Sequence, residues 1–387
     1  MTVGPDGMPY GLEHGSLHHM TEEQERDHVD MLHSRLMDRD PARRFRSALA
    51  MASYVADDMH LPDVLEPHPA QVISDIMVRP KTHKTAVLDG ARALGIMGPR
   101  SMPWSAPALS TLTGSSDDPE IRLETVRAIT ALGPEAAEIA AANVASVLLD
   151  FQFATPLLRW QAVLALIALG PGAARHSATQ LVKAITDPDT DVRNNAMKAI
   201  AVMGAAAAEA APGVLVPAVV QAFKTGGAEL QRLAAIALKS IGPVAAPESS
   251  DALSRGTRPK PGQDVELRRL AVVALGAMGR DVVAQHQMDL AKALEDPYEP
   301  VRKEARAALR AAGCQTALKG SMALFQQIKN GKRQALPPPL DEKQLAEEEE
   351  QRRKREQEEQ ERTENEAKRR REEREQQQQQ QQQKKKE

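Results

Sequence analysis

One pattern recurs along most of this chain and decides what it can fold into. An aliphatic residue precedes an arginine. Small residues follow three and six positions after the arginine, an apolar residue at seven and a glycine at eleven. The copies are Ile121-Arg122 with Thr125, Ala128, Ile129 and Gly133; Leu158-Arg159 with Ala162, Ala165, Leu166 and Gly170; Val192-Arg193 with Ala196, Ala199, Ile200 and Gly204; Leu267-Arg268 with Ala271, Ala274, Leu275 and Gly279; and Val301-Arg302 with Ala305, Ala308, Leu309 and Gly313. Val87 and Gln231 stand in the arginine position of two further copies, and a degenerate first copy begins at Arg44. The anchors 44, 87, 122, 159, 193, 231, 268 and 302 are 34 to 43 residues apart and define eight units.

Periodicity assigns each unit its structure. Offsets −1, +3, +6, +7 and +10 lie on one face of a 3.6-residue helix. Small residues at +3 and +6 let a neighbouring helix come close, and the glycine at +11 is expected to end the helix in the left-handed conformation. Asp187-Pro188 and Asp296-Pro297 supply turn and capping chemistry. A second apolar-periodic stretch precedes each such helix, for example 178–185, 214–223 and 288–294. Each unit therefore reads as a helical hairpin. A hairpin cannot bury its apolar face alone, so the units are expected to stack.

The segments DPDTDVRNNAMKAIAVMG (187–204) and DPYEPVRKEARAALRAAG (296–313) resemble the second helix of HEAT repeats, and are especially similar to the branch called phycobilisome-lyase HEAT-like repeats. The resemblance covers roughly residues 30–315. Tetratricopeptide repeats share the 34-residue period, but their Trp and Tyr signature positions are missing here. The resemblance implies an all-α, right-handed α-α superhelix, a HEAT-repeat solenoid. It also implies that Arg122, Arg159, Arg193, Arg268 and Arg302 form a structural ladder, each bonding with a turn Asp between neighbouring repeats.

Three segments follow: a leader over 1–20, the solenoid over 21–330 with a closing helix at 317–328, and a Pro-rich hinge with a charged tail over 331–387. The leader lacks an apolar h-region, so no secretory signal is expected. The tail pairs glutamates with arginines and lysines at i,i+4 (Glu348 with Arg352, Glu364 with Lys368) but almost lacks apolar residues. A coiled-coil seam is not supported there; the segment reads as a solvated single helix or a disordered tail, closed by eight glutamines at 376–383.

Composition narrows the function classes. Charged residues nearly balance, with a formal net charge of −3, and aromatics are 3% of the chain. Neither a basic field for nucleic acid nor a base-stacking surface is present. Cys314 is the single cysteine, which fits a reducing compartment. No run of eighteen apolar residues occurs, so no membrane span is expected. A cytoplasmic location follows, with the nucleus as the other compartment open to it.

Candidate chemistry is thin. His14, His18, His19, His28 and His33 cluster near the start, but His28 and His33 are five apart and do not share a helix face, so no metal is expected. One HEAT-like family is enzymatic, the di-iron deoxyhypusine hydroxylases, whose iron ligands come from His-Glu dipeptides. This sequence contains none. No catalytic residue and no cofactor is assigned.

The expected function is a non-catalytic scaffold that binds partner helices or extended peptides on a shallow surface, the concave face lined by the second helices, rather than in a pocket. Offsets +1, +5 and +8 should line that face. In the fourth unit they give Trp160, Leu164 and Ile167, expected as an exposed apolar strip flanked by Arg127 and Lys198, with Phe151 and Phe153 just upstream. A Trp with basic neighbours has the composition of an interface hot spot; against it stands the reading that Trp160 caps the core between the third and fourth units. The partner would be an amphipathic segment with acidic flanks, and the solenoid a monomer. The resemblance carries an alternative, since some proteins with these repeats are subunits of lyases that attach bilins to phycobiliproteins.

Overall fold

The computed structural model describes residues 21–57, 61, 65–259, 264–319 and 350. The leader with His14, His18 and His19, most of the closing helix and all but one residue of the tail lie outside the described residues. Among the described residues every regular element is helical. Contacts divide the chain into two compact units, Met1–Val282 and Val283–Glu387.

In the first unit the helices come as hairpins. They are α1 (Glu22–Arg35) and α2 (Pro41–Ala50), extended by α3 (Ala52–Asp57); α4 (Pro69–Met77) and α5 (Lys84–Met97); α6 (Met102–Ser115) and α7 (Pro119–Leu132); α8 (Ala137–Val147) and α9 (Pro156–Leu169). Then come α10 (Ala174–Ala184) and α11 (Thr190–Met203); the short α12 (Ala205–Ala210) with α13 (Leu215–Thr225) and α14 (Ala228–Ile241); and α15 (Ala246–Gly256) with α16 (Val265–Ala277). The second helices pack in chain order, α5 on α7, α7 on α9, α9 on α11, α11 on α14 and α14 on α16. The first helices form a parallel series, α4 on α6, α6 on α8 and α8 on α10. A many-helix fold of this kind is consistent with a helical-repeat solenoid.

The repeat pattern explains the packing. Ala162, Ala165, Ala196, Ala199, Ala234 and Ala237, at +3 and +6, are fully buried. So are Ile129, Leu166, Ile200 and Leu238 at +7. A methyl group at the contact lets helix axes approach closely, and the larger residue beside it fills the space between hairpins. The apolar stretch Pro156–Ala184 is long enough by composition to cross a membrane. Here it is α9 and α10, joined by a short 3-10 turn at Gly170–Ala173 and packed within the stack.

Helix ends differ from expectation in one respect. Five of the closing glycines, Gly98, Gly133, Gly170, Gly204 and Gly242, have positive φ but not the left-handed helical ψ: Gly133 lies at φ 75, ψ −164 and Gly204 at φ 54, ψ −130. A proline follows Gly98, Gly133, Gly170 and Gly242 and disfavours helical ψ in the residue before it, while Gly204, followed by Ala205, takes the same conformation without one. The chain therefore leaves the helix through a region open almost only to glycine and turns at once into the next hairpin.

The second unit holds the end of α17 (Arg280–Gln285), then α18 (Gln287–Ala293), α19 (Glu299–Ala311) and the start of the closing helix, α20 (Gln315–Lys319). Leu290, Val301, Ala305, Leu309 and Cys314 form its core. Cys314 is buried as a small apolar side chain.

Candidate functional site

The anchor arginines lie at the turns that join first to second helices. Arg122 of α7 is buried. Its Nη1 donates to Asp150 in the next turn at 2.5 Å, and its Nε donates to the Thr113 carbonyl at 3.2 Å. Arg159 of α9 is buried and reaches Asp187 one turn further on, through Nε at 2.8 Å and Nη2 at 3.1 Å. Two parallel N–H donors on one carboxylate make this the strongest kind of side-chain pair. Asp187 also accepts from the Asp189 amide at 2.8 Å, while Asp189 caps α11. The turn thus separates the two tasks, one aspartate bonding between hairpins and the next capping the helix.

The series has substitutes and a gap. In the second unit of the pattern, which lacks the arginine, Lys84 at the start of α5 bridges to Asp118 at 2.8 Å and Glu120 at 2.7 Å. Where Gln231 holds the anchor position, the neighbouring Arg232 pairs with Asp264 at 2.5 Å. Arg193 has no acid to meet, because the next turn is Gly226-Gly227. It donates instead to the carbonyls of Asp187 and Pro188 in its own turn, at 2.7 and 2.9 Å. Arg302 in the second unit does the same with Asp296 and Pro297 and pairs with Glu299. Arg268 is buried like Arg122 and Arg159. Hydrogen bonds from Arg122, Lys84 and Arg232 are the leading reason that the carboxyls of Asp150, Asp118 and Asp264 sit below their ordinary pKa.

The second helices present offsets +1, +5 and +8 as a half-open line. Trp160, Leu164 and Ile167 on α9 are half-buried, Arg127 and Lys198 exposed. Trp160 is neither closed like its neighbours Leu158 and Arg159 nor open like Phe151, which is 58% exposed. Earlier on the line, Leu88 is buried. Acids off the line, invisible to an inventory of the line itself, pair with several of its bases. Glu124 meets Arg127 at 2.9 Å and Arg92 at 3.7 Å; Glu229 meets Arg232 at 3.2 Å; Glu266 meets Arg269 at 2.7 Å. Their i,i+3 spacing was the available signal. Lys198 takes part in none of the ion pairs among the described residues.

A hollow lies among the first hairpins. His68 and Trp104 stack with centroids 4.1 Å apart and planes 10° from parallel. They line an open hollow of about 690 Å³ with Met37, Leu65, Pro67 and Gln71. His68 Nδ1 accepts from the Ala70 amide at 3.1 Å, capping α4. Burial lowers its pKa to about 4, so the ring is neutral at pH 7 and free to accept. His28 and His33 do not converge with other ligands. Among the described residues no group of three or more His, Cys, Asp or Glu side chains is placed to hold a metal.

No family model matches the chain. No curated protein matches it. Among solved structures, a crystal structure described as that of an engineered protein aligns over 73% of this chain and 94% of its own length, at 20% identity and a TM-score of 0.34. An alignment that loose leaves function to be argued from this chain's own surfaces.

Proposed function

We propose that this protein is a HEAT-type, right-handed solenoid whose work is to bind other proteins along its row of second helices, without catalysis. The observation that carries the reading is the half-buried apolar line Trp160, Leu164 and Ile167 on α9. A half-buried Trp is the kind of anchor on which interface energy concentrates. Arg127 and Lys198 flank it on the adjacent helices, and Lys198 supplies a charge that no acid among the described residues takes up. The partner is an amphipathic helix or extended segment, apolar at its centre and acidic towards the α11 side.

The test compares wild type with a Trp160→Ala, Leu164→Glu double variant as baits in native lysate. Circular dichroism first establishes that the variant keeps its helix content. The expected result is a protein enriched by wild type and lost with the variant. Recovery of the same proteins by both baits would remove this line from consideration.

A further inference from the structure

The side chains that cap the helices are not all of one kind. Thr21 caps α1, Asp40 α2, Asp118 α7, Thr155 α9, Asp189 α11 and Asp264 α16. In the hairpin of α4 and α5 both caps are histidines. His68 Nδ1 accepts from the Ala70 amide at 3.1 Å, and His83 Nδ1 from the Thr85 amide at 3.4 Å. A hydroxyl cap does not titrate, and an aspartate stays ionised down to about pH 4. An imidazole accepts only while neutral, because both nitrogens of the charged ring are donors. Of the two histidines, His83 is exposed, whereas His68 is half-buried and stacked on Trp104.

The surroundings of His68 oppose its charged form. Burial lowers its pKa to about 4. The cap acts in the same sense, since a proton on Nδ1 would point at the Ala70 N–H and at the positive end of α4. The face of Trp104 favours a cation. A charged ring that stayed on that face would still set one donor against another, so stack and cap cannot both survive protonation. Few other charges bear on the ring. Glu66 lines the same hollow but is exposed, where water screens it. Packed against α4, α6 carries no ionisable residue. Arg44 of α2 lines an adjoining hollow with Asp75 and Arg79, and donates to the Asp38 carbonyl at 3.1 Å; Arg43 pairs with the Asp38 carboxylate at 3.6 Å. On α5, Lys84 meets Asp118 and Glu120, and Arg92 meets Asp89 and Glu124.

We infer that His68 is an acid-operated latch on this hairpin: while neutral it caps α4 and lies closed on Trp104, and when protonated it releases both. The position of α4 gives the release a consequence. α2 packs on α4 and α4 packs on α6, so α4 joins the first hairpin to the third. Without its cap the first turn of α4 loosens, and the Trp104 face opens beside Met37, which is already 70% exposed. The pH window follows from linkage. The folded pKa of His68 lies below the ordinary value of 6.5, so its neutral form contributes stability in full above pH 6.5 and loses it as pH falls towards 4. The helices capped by aspartate and threonine keep their caps across that window.

The test is hydrogen exchange of the full chain at pH 7 and pH 5, corrected for the intrinsic rate, beside His68→Asn, whose side chain caps without titrating. Circular dichroism first establishes that the variant keeps its helix content. In wild type, opening of α4 should become about tenfold more frequent at the lower pH, while α13 is unchanged. In the variant, α4 should respond no more than α13. The His68 ring, followed by NMR in wild type, should titrate well below 6.5, a reading that does not depend on the variant. No rise in α4 opening, an equal rise in the variant, or a ring midpoint near the ordinary value would each overturn the inference.

Discussion

Two adjacent steps of the stack are built differently. Between α9 and α11 a buried arginine reaches a buried aspartate, Arg159 to Asp187. Between α11 and α14 Arg193 finds no acid, yet the helices pack directly. The contact there relies on close approach: a Cβ added at Gly204 would lie 2.9 Å from the Ser240 carbonyl oxygen. One step uses a charge pair to set the position of the next hairpin, the other uses backbone shape. The comparison teaches that the repeat demands a closed interface, and that the ion pair is one means of fixing its register rather than a requirement of stacking.

The largest effect tests the charged step. Arg159→Ala leaves the Asp187 carboxylate buried without its cation, although the Asp189 amide still donates to it. Removing one partner of a buried pair costs about 3–5 kcal/mol. Urea denaturation should show the midpoint falling with the slope unchanged. Replacing both partners, Arg159→Met with Asp187→Leu, should recover most of the loss. If the double variant remains as unstable as the single, the pair supplies more than charge compensation.

The next effect tests the shaped step. Gly133 and Gly204 both have positive φ, but nothing lies within 4 Å of a Cβ built at Gly133. Gly133→Ala should cost about 1–2 kcal/mol from backbone strain alone. Gly204→Ala should cost about 1 kcal/mol more, because the Ser240 carbonyl must also move. Equal losses at the two sites would mean that the α11–α14 contact yields easily and that its position is fixed elsewhere.

How far the sequence foretold this arrangement depends on what kind of regularity carries each feature. Helices, their buried faces and the stacking of Ala162, Ala165 and their counterparts repeat at fixed offsets, so a single chain displays them. The acids that answer the arginines do not. Asp150 precedes its helix by five residues before the Thr155 cap, Asp187 by two before the Asp189 cap, and Asp264 is itself the cap of α16. Only the folded turns bring them to one place. His68 and Trp104 belong to successive hairpins and follow no period, so their stacking left no trace in the sequence. Trp160, Leu164 and Ile167 were recognisable as a line, but their degree of burial depends on how α7 and α11 sit beside α9.

Acid should distinguish the steps by a smaller amount. Arg122 holds the Asp150 carboxyl below its ordinary pKa. A carboxyl depressed in the fold contributes stability above its unfolded pKa, near 3.9, and loses it as pH falls through the folded value. Part of the acid sensitivity below about pH 4 should therefore vanish in Asp150→Asn, together with about 1 kcal/mol of stability at pH 7. The α11–α14 step contributes nothing to that profile through Arg193. Stability measured against pH for wild type and variant should converge at low pH; parallel curves would show that Asp150 does not titrate with folding.

The smallest effect asks whether the missing charge pair can be restored. Arg193→Ala should cost less than about 1 kcal/mol, since its carbonyl partners lie at a turn reached by water. Two glycines occupy the opposing turn, and they are not equivalent. A Cβ at Gly226 would meet the Ala222 carbonyl at 2.5 Å, whereas one at Gly227 meets nothing within 4 Å. Gly227 also caps α14 without a side-chain hydrogen bond, at the position Asp264 holds for α16. Gly227→Asp should therefore gain a few tenths of a kcal/mol from capping alone. Any gain beyond that must come from Arg193 swinging across to the new carboxylate. A double-mutant cycle with Arg193→Ala isolates it. Coupling of about 0.5 kcal/mol or more would show that the two kinds of step are interchangeable at this interface; additivity would show that close approach at Gly204 has already fixed a spacing the arginine cannot bridge.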